Sequence, residues 1–144
     1  MVKITRSIHI NAPVEKVFAY MHDPRNMPEF WPSMVEVKDV KETPEGVGAT
    51  FSWAYKMAGM RFEGSSETTE YIPNRRTVTR STKGIQSTFV WTYDAEAGGT
   101  KVTSEAEYAV PIPLLGKLAE PFILKQNEHE AEAMLANLKA RMEL

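Results

Sequence analysis

The stretch of residues 121–144 constrains the fold more than any other part of this chain. It has a helix-forming composition, a proline at its start and no later helix breaker. At about 100° per residue, one face of this predicted helix is apolar. That face holds Ile123, Leu124, Ala131, Met134, Leu135, Leu138 and Met142. We interpret Asn127 as the only strongly polar residue near the middle of the face. About 24 helical residues extend roughly 36 Å, so the apolar face needs a partner as long as a small domain.

Most of the chain before this helix alternates apolar and polar residues with a period of two, which indicates β-strands. The strongest example is residues 49–57, where aromatic side chains alternate with mostly polar ones. Turn sequences such as Gly46-Val47-Gly48 and Ala97-Gly98-Gly99 separate the strands. Connections of hairpin length predict an antiparallel sheet rather than a doubly wound parallel one.

Two short helices are predicted between the first strand, residues 3–10, and the second. Asn11-Ala12-Pro13 is a helix-start signal with Asn11 as the cap, and Asp23-Pro24 ends that helix and starts the next. We therefore predict an α+β helix-grip fold in one domain, residues 1–144. A curved seven-stranded antiparallel sheet wraps around the long C-terminal helix, with the two short helices after the first strand.

Composition narrows the function classes. A net charge of −2 gives no reason to expect binding to nucleic acid. Because the chain has no cysteine, it has neither disulfides nor thiolate metal ligands. It also lacks an apolar signal core and any run of about 18 apolar residues. We expect a cytoplasmic protein without integral membrane association; the sequence does not indicate an oligomeric state.

No catalytic or metal-binding constellation is recognisable. His9, His22 and His129 each lack a second ligand at chelating spacing, so we predict no metal site, and no cofactor is implied. The G-x-G at Gly46 leads into a strand and therefore cannot place a phosphate at a helix N-terminus. Glu105 and Glu107 share one strand face, which we assign to solvent.

The aromatic strand faces are the most informative feature for function. They form either a plain core or the wall of an apolar pocket, with tyrosine hydroxyls as polar handles. On the long helix, a small residue leaves room and an amide offers hydrogen bonds. The candidate ligand-binding residues are Phe51, Trp53, Tyr55, Phe89, Trp91, Tyr93, Tyr108, Asn127 and Ala131. We expect the segments 57–60 and 111–118 to flank the pocket mouth, and Arg6 and Arg80 to extend to the strand edges.

Several segments together resemble the START-like (SRPBCC) superfamily. They are SIHINAPVEKVFAYMHDP near the start, the turn EGVG, EYIPNRR, GGTKVTSEAEY and the closing LANLKARMEL. The branch that the chain looks most like is the polyketide cyclase/dehydrase type, which is related in fold to the Bet v 1 allergens. The resemblance covers essentially the whole chain. It implies the helix-grip fold, with a hydrophobic small molecule, lipid or polyketide bound between the sheet and the long helix.

Three hypotheses about function follow. The first is a protein that binds or carries a hydrophobic small molecule. The second is an enzyme of the cyclase, aromatase or dehydratase type, with Tyr55, Tyr108, Arg6 or Asn127 as acid–base or positioning groups. The third is a protein-interaction module whose cavity is filled by its own side chains.

Overall fold

A seven-stranded antiparallel sheet forms the body of the fold in the computed structural model, which describes residues 1–111 and 116–144. The strands are β1 (Val2–Ile10), β2 (Met34–Lys41), β3 (Thr50–Met57), β4 (Met60–Ile72), β5 (Arg76–Lys83), β6 (Ser87–Glu96) and β7 (Gly99–Tyr108). Their spatial order is β1-β7-β6-β5-β4-β3-β2, so the first strand joins the last and every other pair is sequential. The order follows from hairpin connections, which place consecutive strands side by side.

The helices cover one face of this sheet. After β1 come α1 (Val14–His22), a 3₁₀ turn (Pro24–Asn26) and α2 (Met27–Phe30). The long helix α3 (Glu120–Met142) follows β7 and a second 3₁₀ turn (Lys117–Ala119). The predicted α+β helix-grip fold, with two short helices after the first strand, is confirmed.

The predicted cap of α1 is wrong. The helix begins at Val14, and the residue at its N-cap is Pro13, whose backbone is extended and which has no side chain able to cap. The side chain of Asn11 instead forms a hydrogen bond with the His9 ring, in which Asn11 Oδ1 lies 3.0 Å from His9 Nε2. Asn11 therefore lies in the connection just after β1, and its side chain contacts that strand instead of capping the helix.

The predicted phase of α3 agrees with its burial. Its buried residues are Ile123, Met134, Leu135, Leu138 and Met142. Hydrogen bonds fix its C-terminal end to β1 and α1. Lys139 Nζ donates to the His9 carbonyl at 2.9 Å, Lys16 Nζ donates to the Met142 carbonyl at 2.8 Å, and the Asn11 amide donates to Glu143 Oε2 at 2.8 Å. The last turns of the helix are thus held in one position against the sheet.

Glycine permits the closest approach between a side chain and the sheet. A Cβ on Gly64 of β4 would collide with the ring of Trp53 and with the Lys83 carbonyl. Because Gly64 lacks that atom, the Trp53 indole packs directly against the β4 backbone. The indole N–H then donates to Ser66 Oγ at 2.9 Å, so its ring orientation is fixed.

Leu138→Ala tests the packing of α3 on the sheet. Leu138 is completely buried, so we expect its truncation to lower the free energy of unfolding by about 2–5 kcal/mol. Urea unfolding followed by circular dichroism measures the change. The matched control is Leu144→Ala, the same substitution at a residue that is 97% exposed. A loss below about 0.5 kcal/mol for Leu138→Ala would contradict the observed helix phase.

Candidate ligand-binding cavity

A cavity of about 170 Å³ lies between the inner face of the sheet and α3. Its walls come from all seven strands, from α1, α2 and α3, and from the loops that connect them. An engineered apolar cavity of about 150 Å³ is known to bind benzene. The space in this protein is therefore enough for one aromatic ring or a short alkyl chain without any side-chain movement.

All nine residues predicted as ligand-binding candidates line this cavity. Those buried are Phe51, Trp53, Trp91, Tyr93 and Tyr108, and those partly buried are Tyr55, Phe89, Asn127 and Ala131. The alternation along β3 and β6 explains why the rings converge, since every second side chain of a strand points to the same face. Whether these residues contact a ligand stays a prediction.

Trp31 also lines the cavity, although the sequence pattern did not assign it there. Its ring lies edge-on to Phe89, with centroids 5.0 Å apart, and edge-on to Tyr55 at 6.0 Å. Trp31 follows α2 directly, so the position of this short helix determines where the ring stands. Together with Trp53 and Trp91, it places all three tryptophans of the chain at the cavity.

Polar groups gather where α3 crosses the cavity. The Tyr55 hydroxyl donates to Glu130 Oε1 at 3.2 Å, and the Ser33 amide donates to the same oxygen at 3.1 Å. Next to them, Asn127 Nδ2 donates to the Tyr108 hydroxyl oxygen at 2.7 Å. The arrangement is an apolar space with a few convergent polar groups at one place, which is typical of small-molecule sites.

The prediction that Asn127 is the only strongly polar residue near the middle of the helix face is wrong, because Glu130 lies on the same face. Both side chains line the cavity. The signal was present in the sequence, because Glu130 lies seven residues after Ile123 and four before Met134. Those spacings put it on the same face as two buried apolar residues.

The cavity hydroxyls are held in their protonated form. Burial raises the pKa of Tyr55, and the adjacent Glu130 carboxylate raises it further. Burial also raises the pKa of Tyr93 and of Tyr108, in each case by disfavouring the charged phenolate. These groups are therefore hydrogen-bond donors at neutral pH rather than anionic nucleophiles.

The exposed residues among those that line the cavity lie at one end of it. They are His22, Lys41 and Glu42, at the end of α1 and of β2. His22 Nδ1 lies 2.9 Å from the Tyr71 hydroxyl, and His22 Nε2 lies 3.8 Å from Glu42 Oε1. We infer that the cavity opens here, beside Thr50 at the start of β3.

The segment 57–60, which was expected to flank the mouth, lies at the other end of the sheet. Met57 is buried at the opposite end of β3 from Thr50, where it pairs with Met60. Of the segment 111–118, residues 112–115 lie outside the described residues. The prediction that residues 57–60 flank the mouth is wrong because an apolar, methionine-rich turn can equally well pack in the core under a helix.

The remaining charged candidates lie away from the cavity wall. Arg6 forms ion pairs with Glu128 at 3.6 Å and Glu132 at 3.5 Å on α3. Arg80 is exposed on β5, and Glu105 pairs with Lys3 at 2.5 Å. None of these residues is part of the cavity lining.

Two other kinds of site are absent from residues 1–111 and 116–144. Within these ranges, no three His, Asp or Glu side chains come together as candidate metal ligands. In the same part of the chain, no helix has the length and apolar character needed to cross a membrane.

Titration of the tyrosines tests whether the folded protein shields their hydroxyls from water. All five tyrosines have a raised pKa, so their stabilising contribution is complete below pH 10 and is lost as the pH rises above it. We expect the folded protein at pH 10.5 to show clearly less phenolate absorbance at 295 nm than the same chain in 6 M guanidinium chloride. Circular dichroism at each pH verifies that the chain is still folded. Coincident titration curves would show that water reaches the hydroxyls freely.

Comparisons with solved structures agree with the helix-grip fold. The protein TTHA0849 from Thermus thermophilus matches with a TM-score of 0.83 at 22% identity, over 98% of this chain and 97% of that one. A START superfamily protein from Mycobacterium smegmatis matches with a TM-score of 0.71 at 14% identity, over 96% and 97% of the two chains. The di-domain ARO/CYC StfQ from the steffimycin biosynthetic pathway matches at 0.77 and 16% identity, over 99% of this chain and 50% of that one. Identities this low establish the fold alone.

Sequence comparison identifies the family. No curated protein sequence matches the chain. The family model described as polyketide cyclase / dehydrase and lipid transport matches residues 1–143, which is nearly the whole chain. The chain therefore belongs to the polyketide cyclase / dehydrase and lipid transport family.

Proposed function

We propose that this protein binds a mostly apolar small molecule in the cavity between the sheet and α3. The observation that carries the proposal is an aromatic-walled space with a cluster of polar groups at one position on its wall. The family description, which joins cyclases and dehydrases with lipid transport, supports an apolar ligand but does not choose between carriage and chemistry.

The open volume argues against the protein-interaction hypothesis. That hypothesis requires a cavity filled by its own side chains, yet about 170 Å³ stays open between the rings. An unfilled apolar cavity costs stability, because its lining loses packing contacts. Maintaining such a space is reasonable in a protein whose ligand supplies the missing contacts.

Filling the cavity tests the proposal. The probe is 1-octanol, an alkyl alcohol slender enough for the space, and binding is measured by calorimetry and by the fluorescence of Trp31, Trp53 and Trp91. In Ala131→Phe, a ring replaces a small side chain on the cavity wall, so we expect at least tenfold weaker binding. The control is Ala133→Phe, the same change at an exposed position of the same helix.

The outcome separates cavity binding from surface binding. Retention of 1-octanol affinity in Ala133→Phe and its loss in Ala131→Phe support the proposal. Equal affinity in both variants and in the unmodified chain, or no binding to the unmodified chain, would overturn it.

The pairing of Tyr55 with Glu130 favours one second candidate, an enzyme of the cyclase or dehydratase type. Such chemistry begins with removal of a proton next to a ketone. The Glu130 carboxylate would accept that proton, and a phenol O–H would donate a hydrogen bond to the oxygen of the enolate that forms. Tyr55 and Glu130 are in hydrogen-bond contact and both line the cavity, so one ketone can reach the two groups. The Tyr55 O–H donates to Glu130 before the reaction, so it would turn to the enolate oxygen as the carboxylate takes up the proton and its hydrogen bond to Tyr55 weakens.

Tyr55→Phe tests this second candidate while leaving the fold intact. The reaction measured is protein-catalysed exchange of the methyl protons of acetophenone for deuterium in D₂O, followed by NMR. If the protein enolises ketones, removing the phenol O–H should slow exchange at least tenfold. The unfolding free energy should fall by only about 0.5–1.5 kcal/mol, the usual cost of one hydrogen bond. Exchange at the buffer rate with the unmodified protein would contradict the enzyme hypothesis and leave the binding proposal untouched. Catalysed exchange at equal rates in both proteins would exclude a role for Tyr55.

A further inference from the structure

The apolar stripe of α3 is interrupted beside the cavity. Between the buried Ile123 and the buried Met134, the inner face carries Asn127, Glu130 and Ala131 in place of large apolar side chains. Ile123 belongs to one core cluster, with Ile4, Met57 and Tyr108, whereas Met134 belongs to a second cluster under the other half of the sheet. The polar turn of the helix therefore faces the gap between two packed cores.

Only half of the Glu130 carboxylate is used by the fold. Its Oε1 accepts from the Ser33 amide and the Tyr55 hydroxyl. Its Oε2 accepts no hydrogen bond from any residue in 1–111 or 116–144. The Tyr108 hydroxyl beside it accepts from Asn127, and its own proton has no acceptor among the described residues. One acceptor and one donor are thus left for a bound molecule.

The charges around Glu130 are unbalanced. Its neighbours on α3, Glu128 and Glu132, both pair with Arg6, whereas Glu130 has no ion-pair partner in the described part of the chain. Lys41, the cationic side chain in the cavity lining of the described residues, lies at the mouth with His22, next to Glu42. Away from the mouth, Glu130 is therefore the one carboxylate that the described residues contribute to the largely apolar lining.

Resting on the proposed function, we propose that the ligand carries a hydrogen-bond donor, an alcohol, phenol or amine, that binds Glu130 Oε2. A hydroxyl satisfies both unused groups, because it donates to Glu130 and accepts from Tyr108. An ammonium group adds charge attraction to its hydrogen bond. A carboxylate is rejected, since two like charges in an apolar space repel and neither finds a cation. The cavity thus selects against free fatty acids and for apolar molecules with a donor head group.

A matched head-group series tests this selection. The four probes are 1-octanol, octylamine, octanoate and methyl heptyl ether, and each Kd is measured by calorimetry at pH 7. We expect octylamine and 1-octanol to bind at least tenfold more tightly than octanoate. Because the ether accepts a hydrogen bond but cannot donate one, we expect it to bind at least threefold more weakly than 1-octanol.

Two variants assign the preference to Glu130. Glu130→Gln removes the charge at constant shape, so the preference for octylamine over octanoate should fall to within twofold. Glu130→Leu removes the acceptor and should abolish the preference for 1-octanol over the ether; circular dichroism establishes that both variants fold. The control is Glu132→Gln, which removes the same charge outside the cavity and should keep every preference of the unmodified chain.

The results distinguish failure of this inference from failure of the proposed function. Binding of all four probes with equal affinity, or tightest binding of octanoate, would overturn the donor requirement while supporting an apolar site. Unchanged preferences in Glu130→Gln would likewise overturn it. If none of the four probes binds the unmodified chain, the proposed function itself fails and this inference fails with it.

Discussion

The contact between α3 and the inner face of the sheet is the interaction on which the rest of the structure depends. A helix of 23 residues meets a curved sheet whose strands run from eight to thirteen residues, so their contact is long. It is not continuous, because the helix buries large apolar residues near its start and over its C-terminal half only. Between these places the sheet still presents aromatic rings, but the helix presents Asn127, Glu130 and Ala131. The cavity follows from that mismatch.

The mismatch is tolerated because both ends of the contact are secured. At the C-terminal end, hydrogen bonds from Lys16 and Lys139 add to the burial of Leu135, Leu138 and Met142. At the other end, Ile123 packs with Met57 and Tyr108. A helix held at two separated places keeps its distance from the sheet between them, and the cavity does not collapse. The polar groups around Glu130 therefore have fixed positions even though they contribute little packing.

Much of this arrangement could be predicted from the sequence. Period-two alternation identifies the strands and the inner rings of β3 and β6, and helical periodicity identifies the buried face of α3. These patterns repeat over many residues, so one exception does not change the conclusion. For the same reason the pattern does not place Glu130 on the inner face of α3, since a single charged residue within an apolar pattern is easily assigned to solvent. The inward position of Glu130 depends on hydrogen bonds from Tyr55 and Ser33, which are distant in sequence. No local pattern contains that information.

The mouth and Trp31 were unpredictable for a related reason. Both depend on how short elements dock, and short helices such as α2 take their position from tertiary contacts rather than from their own sequence. Gly64 shows the same limit, because its lack of a side chain has meaning only once Trp53 lies against it.

The electrostatics of the candidate site bear on the two proposed functions, carriage and catalysis. A carrier needs few polar groups, because apolar contact supplies most of the affinity and each buried polar atom must find a partner. A lone carboxylate in an apolar space is therefore costly unless it recognises part of the ligand or moves a proton.

Both proposed roles use Oε2 of Glu130, and they differ in the ligand group that contacts this oxygen. An alcohol or amine keeps its proton in a hydrogen bond and is held in place. A carbon acid next to a ketone gives its proton up, while Tyr55 or Tyr108 stabilises the oxygen. The two proposed functions therefore need the same constellation, and they differ in the chemistry of the ligand.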